Sequence, residues 1–227
     1  MKYVPLLLAL CLALPCFSSV PADAAVSTYS EKLPHDGSIE ISWESTGLAP
    51  ADAQAESFVK EAIAGFKERI REFDEELAED GLDPVPYALS IENAVFRTPG
   101  TVTVQWSVHE YLGGAHGSLG LRTRIYDAKT GELVAPEALF ALPDAAEEIF
   151  SSVSRRELLA RGLPQDMVEP GTTAGEGNFL NLIPDAQGVM LCFDPYQVAP
   201  WSEGVVQVHV SLQELAAAHP KEQFWKP

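Results

Sequence analysis

His109, Glu110 and His116 are three closely spaced side chains of this 227-residue sequence whose types could together hold a metal ion or move a proton. They frame the run YLGGAHG at 111–117. Gly113, Gly114 and Gly117 permit positive φ angles and close backbone approach there, and they leave Tyr111 and His116 at the ends of a tight exposed segment. The histidine spacing is not the i, i+4 that sets two ligands on one helical face in zinc proteases, so a metal site would need a strand, loop and strand to bring His109 and His116 together. No metal or cofactor is expected. The same composition suits a binding loop or a bulged strand connection with no ligand, and composition alone favours the connection.

Two further groups could carry chemistry. Cys192 lies between Leu191 and Phe193 in an apolar run and reads as a small buried hydrophobe rather than a thiol nucleophile. Carboxylate pairs for glycoside hydrolysis need a set separation across a cleft, and with 33 acidic residues chance pairs are too many for spacing to single one out. The segment 194–203 holds Tyr196 and Trp201, each directly after a proline, a composition common at recognition surfaces. Tyr196 is expected to pack on its own sheet and Trp201 to be exposed. Should this segment meet the glycine-rich run in space, the two would form one binding surface.

The elements that must position these residues follow from periodicity. Residues 25–37 are mixed and read as a flexible segment, and 39–43 alternate as a short strand does. From 52 to 80, Phe58, Ala62, Phe66, Ile70, Phe73 and Leu77 recur at spacings of three or four and predict a long helix, with Asp52 as N-cap and Gly81 as its stop. The period then falls to two. Tyr87, Leu89 and Ile91 alternate, as do Val102, Val104, Trp106 and Val108, and then Leu119, Leu121, Thr123 and Ile125. A second helix is predicted over 144–161, an irregular loop over 162–178, and strands over 179–183, 189–193 and 206–210. Ser211 and Glu214 have capping-box spacing and open a short helix to Ala218. Helix, strands, helix, strands is an α+β order, expected as one antiparallel sheet with helices on one face. A weak junction near Tyr111 divides an N-terminal half, 38–108, from a C-terminal half, 109–218, followed by a tail at 219–227.

Residues 1–24 have the layout of a cleavable signal peptide: Lys2, an apolar run of about eleven residues, then small residues up to Ala24, after which the cut is expected. That run is too short to span a bilayer, which takes about 20 residues, so no membrane span is expected. Leu10 and Pro15 precede Cys11 and Cys16 where lipoprotein signals carry small residues, which disfavours lipidation. The remaining chain holds Cys192 as its one cysteine, so a periplasmic or secreted product would rely on a hydrophobic core with no intramolecular disulfide. The net charge is -18. Nucleic acid is excluded, because its binding draws on Lys and Arg to neutralise phosphates. A cationic protein partner suits such a field.

YLGGAHG at 111–117, IYDAKTGELV at 125–134, Leu139 with Phe140, and FDPYQVAPWSEG at 193–204 together resemble the RsiV-like extracytoplasmic domain family. That module forms the outer, lysozyme-binding part of the membrane-bound anti-sigma factor RsiV and accompanies the catalytic domain of the peptidoglycan deacetylase PdaC. The resemblance covers most of the chain after residue 38, with its recognisable motifs in 109–218. It implies a two-part, non-catalytic α+β domain that binds an extracytoplasmic partner, lysozyme or a cell-envelope component, and acts here as a monomer. The binding residues it points to are Tyr111, Gly113, Gly114, His116, Gly117, Tyr196 and Trp201. The alternative is an envelope-acting hydrolase with a metal or acid–base site at His109, Glu110 and His116.

Overall fold

The computed structural model describes residues 25–226, so the expected signal peptide at 1–24 lies outside the described residues. The first six strands, β1 (Val26–Lys32), β2 (Ser38–Glu44), β3 (Ala88–Arg97), β4 (Thr101–Tyr111), β5 (Ser118–Asp127) and β6 (Leu133–Val134), form one sheet in sequence order. Neighbours are antiparallel except β2 and β3, which are parallel because the helix α1 (Ala49–Glu79) crosses between them. Three later strands, β7 (Leu182–Pro184), β8 (Gly188–Phe193) and β9 (Val206–Ser211), form a separate antiparallel sheet. The class is α+β as predicted, with the strands shared between two sheets rather than gathered in one.

Strand alternation explains the layering. Val104, Trp106, Ile91 and Leu89 on one face of the large sheet meet Ala55, Val59 and Phe66 of α1. On the other face, Leu121 and Phe96 meet Ile183, Met190 and Cys192 of the small sheet. The outer face of that sheet, with Val189, Leu191, Phe193 and Val208, packs on Phe150, Val153 and Leu158 of α2 (Pro143–Ala160). The order is therefore helix, sheet, sheet, helix. Helices lie on the two outer faces because the odd-numbered side chains of β4, polar as they are, are themselves covered: Thr101 is 0% and Thr103 1% exposed.

The helix α1 begins earlier than its sequence suggests. Pro50 fits the first turn without losing a needed N–H, so the helix starts at Ala49 with Leu48 as an N-cap lacking a side-chain bond. Asp52 sits inside that turn and reaches back, accepting from the Thr46 N–H and hydroxyl, both at 2.7 Å, and from the Ser45 hydroxyl at 2.8 Å. At the other end Gly81, with φ +68°, closes a Schellman turn in which Leu82 N–H donates to the Leu77 carbonyl. The apolar stripe is buried only as far as Phe66 and partly at Ile70; Phe73 is 40% exposed because the helix outruns the sheet.

Three segments expected to be irregular are ordered by long-range pairing. Residues 26–32 are the edge strand β1, held along their length by β2. Within 162–178 lies the short helix α3 (Gln165–Gly171), where burial of Val168 and Thr172 outweighs the breaker Pro170 in its last turn. The expected strand at 179–183 starts only at Leu182. The tail is docked: Pro220 bridges Phe140, Lys221 N–H donates to the Leu139 carbonyl, the Thr98 hydroxyl donates to the Phe224 carbonyl, and Phe224 is 4% exposed. Gly100 faces it, and a Cβ there would overlap the Gln223 carbonyl oxygen. The Ser211–Glu214 capping box forms as predicted, with Ser211 N–H donating to the Glu214 carboxylate at 3.0 Å and Glu214 N–H to the Ser211 hydroxyl at 3.2 Å. It opens a 3-10 helix over Glu214–Ala218. The junction expected near Tyr111 falls inside the β4–β5 hairpin, whose strands pair from Thr101 with Asp127 to Glu110 with Ser118.

Two stability measurements follow from this packing. Thr103 Oγ1 is buried between the sheets without a hydrogen-bond partner, so the isosteric Thr103→Val should raise unfolding free energy by about 1 kcal/mol in urea titrations. Burial pushes the Asp52 carboxyl up, but the Thr46 and Ser45 bonds outweigh it and hold the group below its ordinary value. A carboxyl depressed in the folded state contributes stability above its unfolded pKa and loses it as pH falls through the folded one. Asp52→Asn should accordingly cost about 1–2 kcal/mol at pH 7, with the deficit against wild type shrinking as pH is lowered below about 4.

Candidate functional site

The β4–β5 connection, residues 112–117, is built by its glycines. Gly113 and Gly114 have φ of +97° and +95°, and a Cβ on Gly117 would crowd the Glu110 carbonyl oxygen. Tyr111 folds over the turn, its hydroxyl donating to the Gly114 carbonyl at 3.1 Å. His116 projects from the exposed tip, and its Nδ1–H donates to the Gly117 carbonyl at 2.7 Å. That bond places a proton on Nδ1, and in the uncharged ring it leaves Nε2 as an acceptor.

The second loop, 194–205, comes from the small sheet and is pinned from beneath. Val198 and Ala199 are 0% and 1% exposed. The Gln197 side-chain amide donates to the carbonyls of Gly171 and Asn178, and a side chain on Gly171 would overlap the Gln197 carbonyl, so α3 fits closely against this loop. Asp194 accepts the Leu121 N–H at 2.8 Å and so ties the loop to β5. Burial pushes the Asp194 carboxyl up, while the Leu121 N–H and the Arg122 guanidinium oppose that shift.

The two loops meet. His116 stacks on Trp201 with ring centroids 4.9 Å apart and an 18° interplanar angle. Tyr196 lies 5.9 Å from Trp201, and its hydroxyl donates to His116 Nε2 at 3.3 Å. Their exposure reverses the sequence expectation: Tyr196 is 55% exposed, because its φ of +70° turns it out of the loop, whereas Trp201 is half-buried beneath His116. A non-glycine residue with positive φ is uncommon, and here it aims an aromatic ring at solvent. Of the residues singled out from sequence, His116, Tyr196 and Trp201 form one ring cluster, Gly113, Gly114 and Gly117 shape the turn that delivers it, and Tyr111 braces that turn.

The trio His109, Glu110 and His116 is not brought together in the same way. Adjacent strand residues point to opposite faces, so His109 and Glu110 diverge. Glu110 is bound by Arg69 of α1, and His116 by the aromatic cluster. No group of three or more His, Cys, Asp or Glu side chains is arranged to hold a metal among the described residues. Cys192 is 3% exposed; burial pushes its thiol up, against bonds from Gln105 and Gln207. Sequence reasoning missed Asp194 and Gln197, which fix the loop; the signal was a carboxylate and an amide immediately after an apolar strand.

Residues 137–213 match the model of a family described as a protein of unknown function, DUF3298. Two solved structures of that family share the fold. One, from Pseudomonas aeruginosa PAO1, is 15% identical with a TM-score of 0.60, covering 89% of this chain and 97% of its own. The other, from Bacteroides fragilis NCTC 9343, is 12% identical with a TM-score of 0.58, covering 88% and 93%. No curated protein matches the chain. The matched segment runs from the 3-10 helix Pro136–Leu139 to the capping box, so it contains Tyr196 and Trp201 but not the loop that carries His116.

Asp194 offers a direct check of how the loop is held. Its folded pKa is raised, so the native state takes up a proton before the unfolded chain does and gains stability as pH falls toward 3.8. Asp194→Asn keeps an acceptor for Leu121 without the charge and should stay within about 0.5 kcal/mol of wild type at pH 7 while losing that pH dependence. Asp194→Ala strands the Leu121 N–H and should cost about 1–3 kcal/mol, read from chemical denaturation.

Proposed function

We propose that this chain is an exported recognition domain that binds an extracytoplasmic cationic protein of the lysozyme kind at the His116, Tyr196 and Trp201 surface, as a monomer and without turnover. The observation that carries the reading is the ring cluster itself: side chains 80 residues apart in sequence, on two loops each fixed from below, stack on one exposed surface. Rigid rings with polar edges contribute contact area at little conformational cost, and their faces attract Lys and Arg. The net charge of -18 supports a basic partner by steering its approach. The motif order shared with the RsiV-like family supports lysozyme as the first partner to test, and the family match at 137–213 is consistent with it. Export rests on the signal-like residues 1–24. Among the described residues no helix is long and apolar enough to cross a membrane.

Titration of the purified protein with lysozyme at low and moderate salt should give micromolar or tighter binding that weakens with salt. Trp201→Ala should reduce affinity by about tenfold or more, as truncation of an interface anchor does. Absence of binding at micromolar concentration in both salts removes lysozyme as the partner, and binding of peptidoglycan fragments instead would redirect the reading to an envelope glycan. Elution as a single monomeric species in gel filtration is expected throughout.

A further inference from the structure

The outer edge of β5 is only half covered. Its odd-numbered residues turn their N–H and C=O groups away from β4: Asp127 N–H donates to the Glu132 carbonyl, Ile125 faces Val134 of β6, and Leu121 N–H is taken by Asp194. Thr123 lies between these satisfied positions, paired with Gln105 of β4 on its inner side and with no strand on its outer side among the described residues. The cause is local. Continued in register, β6 would set Ala135 opposite Arg124 and Pro136 opposite Thr123, but proline has no N–H to donate, and the chain instead turns into the 3-10 helix Pro136–Leu139.

The space left open is concave. On the small-sheet side a hollow of about 350 Å³ runs between residues 121–124 and the segments 177–181 and 194–197, with Leu180, 66% exposed, on its wall. On the α1 side a second hollow of about 330 Å³ is bounded by Phe58, Trp106 and Tyr126. Arg122 and Arg124, exposed and two residues apart, border both hollows. In a chain with 15 basic against 33 acidic residues, neither has a carboxylate ion pair among the described residues. Arg122 donates to the Leu121 carbonyl. Two carboxylates stand nearby: Glu61, which accepts from Ser57, and Asp194, which accepts from Leu121 and is already within electrostatic reach of Arg122.

We propose that this edge receives an extended acidic peptide, which adds a strand to β5 at Thr123 along the line that β6 abandons. Backbone pairing at an open edge supplies affinity, and the alternating side chains of the added strand supply selectivity. Side chains on the α1 face of that strand come beside Arg122 and Arg124, whose two-residue spacing matches carboxylates at i and i+2. Those on the opposite face come beside Leu121 and Leu180. The motif selected is thus acidic and apolar in alternation. The proposal draws on none of the three rings of the His116 cluster.

The test uses a blocked tripeptide, acetyl-Glu-Val-Glu-amide, short enough to lie between Asp194 and Val134, titrated into isotopically labelled protein. The expected result is saturable binding with protection of the Thr123 amide from hydrogen exchange. Binding should be weakened about tenfold or more when Lys replaces both Glu, or in the Arg122→Gln/Arg124→Gln double variant. N-methylation of the peptide backbone, which removes its strand donors and leaves its charges, should abolish binding, while Trp201→Ala should leave it unchanged. No saturable binding at millimolar peptide overturns the proposal, as does equal affinity for the Lys peptide or for the N-methylated one. The two peptide controls read out on the unaltered protein, so the result does not depend on how the double variant folds.

Discussion

Strand β4 is covered on both faces from Thr101 to Val104 and at Trp106, and every other layer is placed by that fact. A strand with one wet face needs a single partner layer; one buried on both faces needs two. The even-numbered side chains take α1 and the odd-numbered ones take the small sheet, which in turn needs α2 over its far face. Because side-chain direction alternates, a slip of one residue between β4 and β5 would carry Leu121 to the α1 face and Arg122 into the inter-sheet layer. The buried contacts on the two sides therefore fix the register. That register also sets where the hairpin turns, and with it where His116 stands.

Periodicity made some of this legible before any coordinates. The apolar stripe of α1, the alternation in β3, β4 and β5, the second helix and the Ser211–Glu214 box are local patterns, and each appears close to where it was expected. What escaped was set by distant partners. Val26 to Lys32 carries no apolar alternation strong enough to declare a strand, yet β2 supplies a full ladder of partners. The segment containing Pro170 reads as a loop until Val168 is buried among side chains from other elements. The covered face of β4, written in threonines and Gln105, resembles a solvent face because hydroxyls and amides suit either setting.

The candidate site divides in the same way. Three glycines in five residues announce an unusual turn, and a tyrosine and a tryptophan that each follow a proline announce an exposed loop. That the two loops touch depends on the small sheet lying across β5, which no local pattern encodes. The orientation of Tyr196 was misread for a related reason: a positive φ at a tyrosine cannot be inferred from its neighbours. The Arg122 and Arg124 pair was visible all along as two cations alternating in a strand of an acidic chain, but their setting at an open edge depends on Pro136, twelve residues later than Arg124.

The docking of residues 220–225 bears on how the molecule is assembled. Thr98 and Phe224 are bonded across 126 positions of sequence, and Trp225 reaches the Gly188 carbonyl. Such a contact joins parts of the chain far apart in sequence, and the C-terminal core is closed only when this strip is in place. Until then Phe140 lacks the aromatic neighbour that Trp225 provides. A chain whose strip has not yet docked leaves that apolar surface open to proteases and chaperones, and the arrival of six residues closes it.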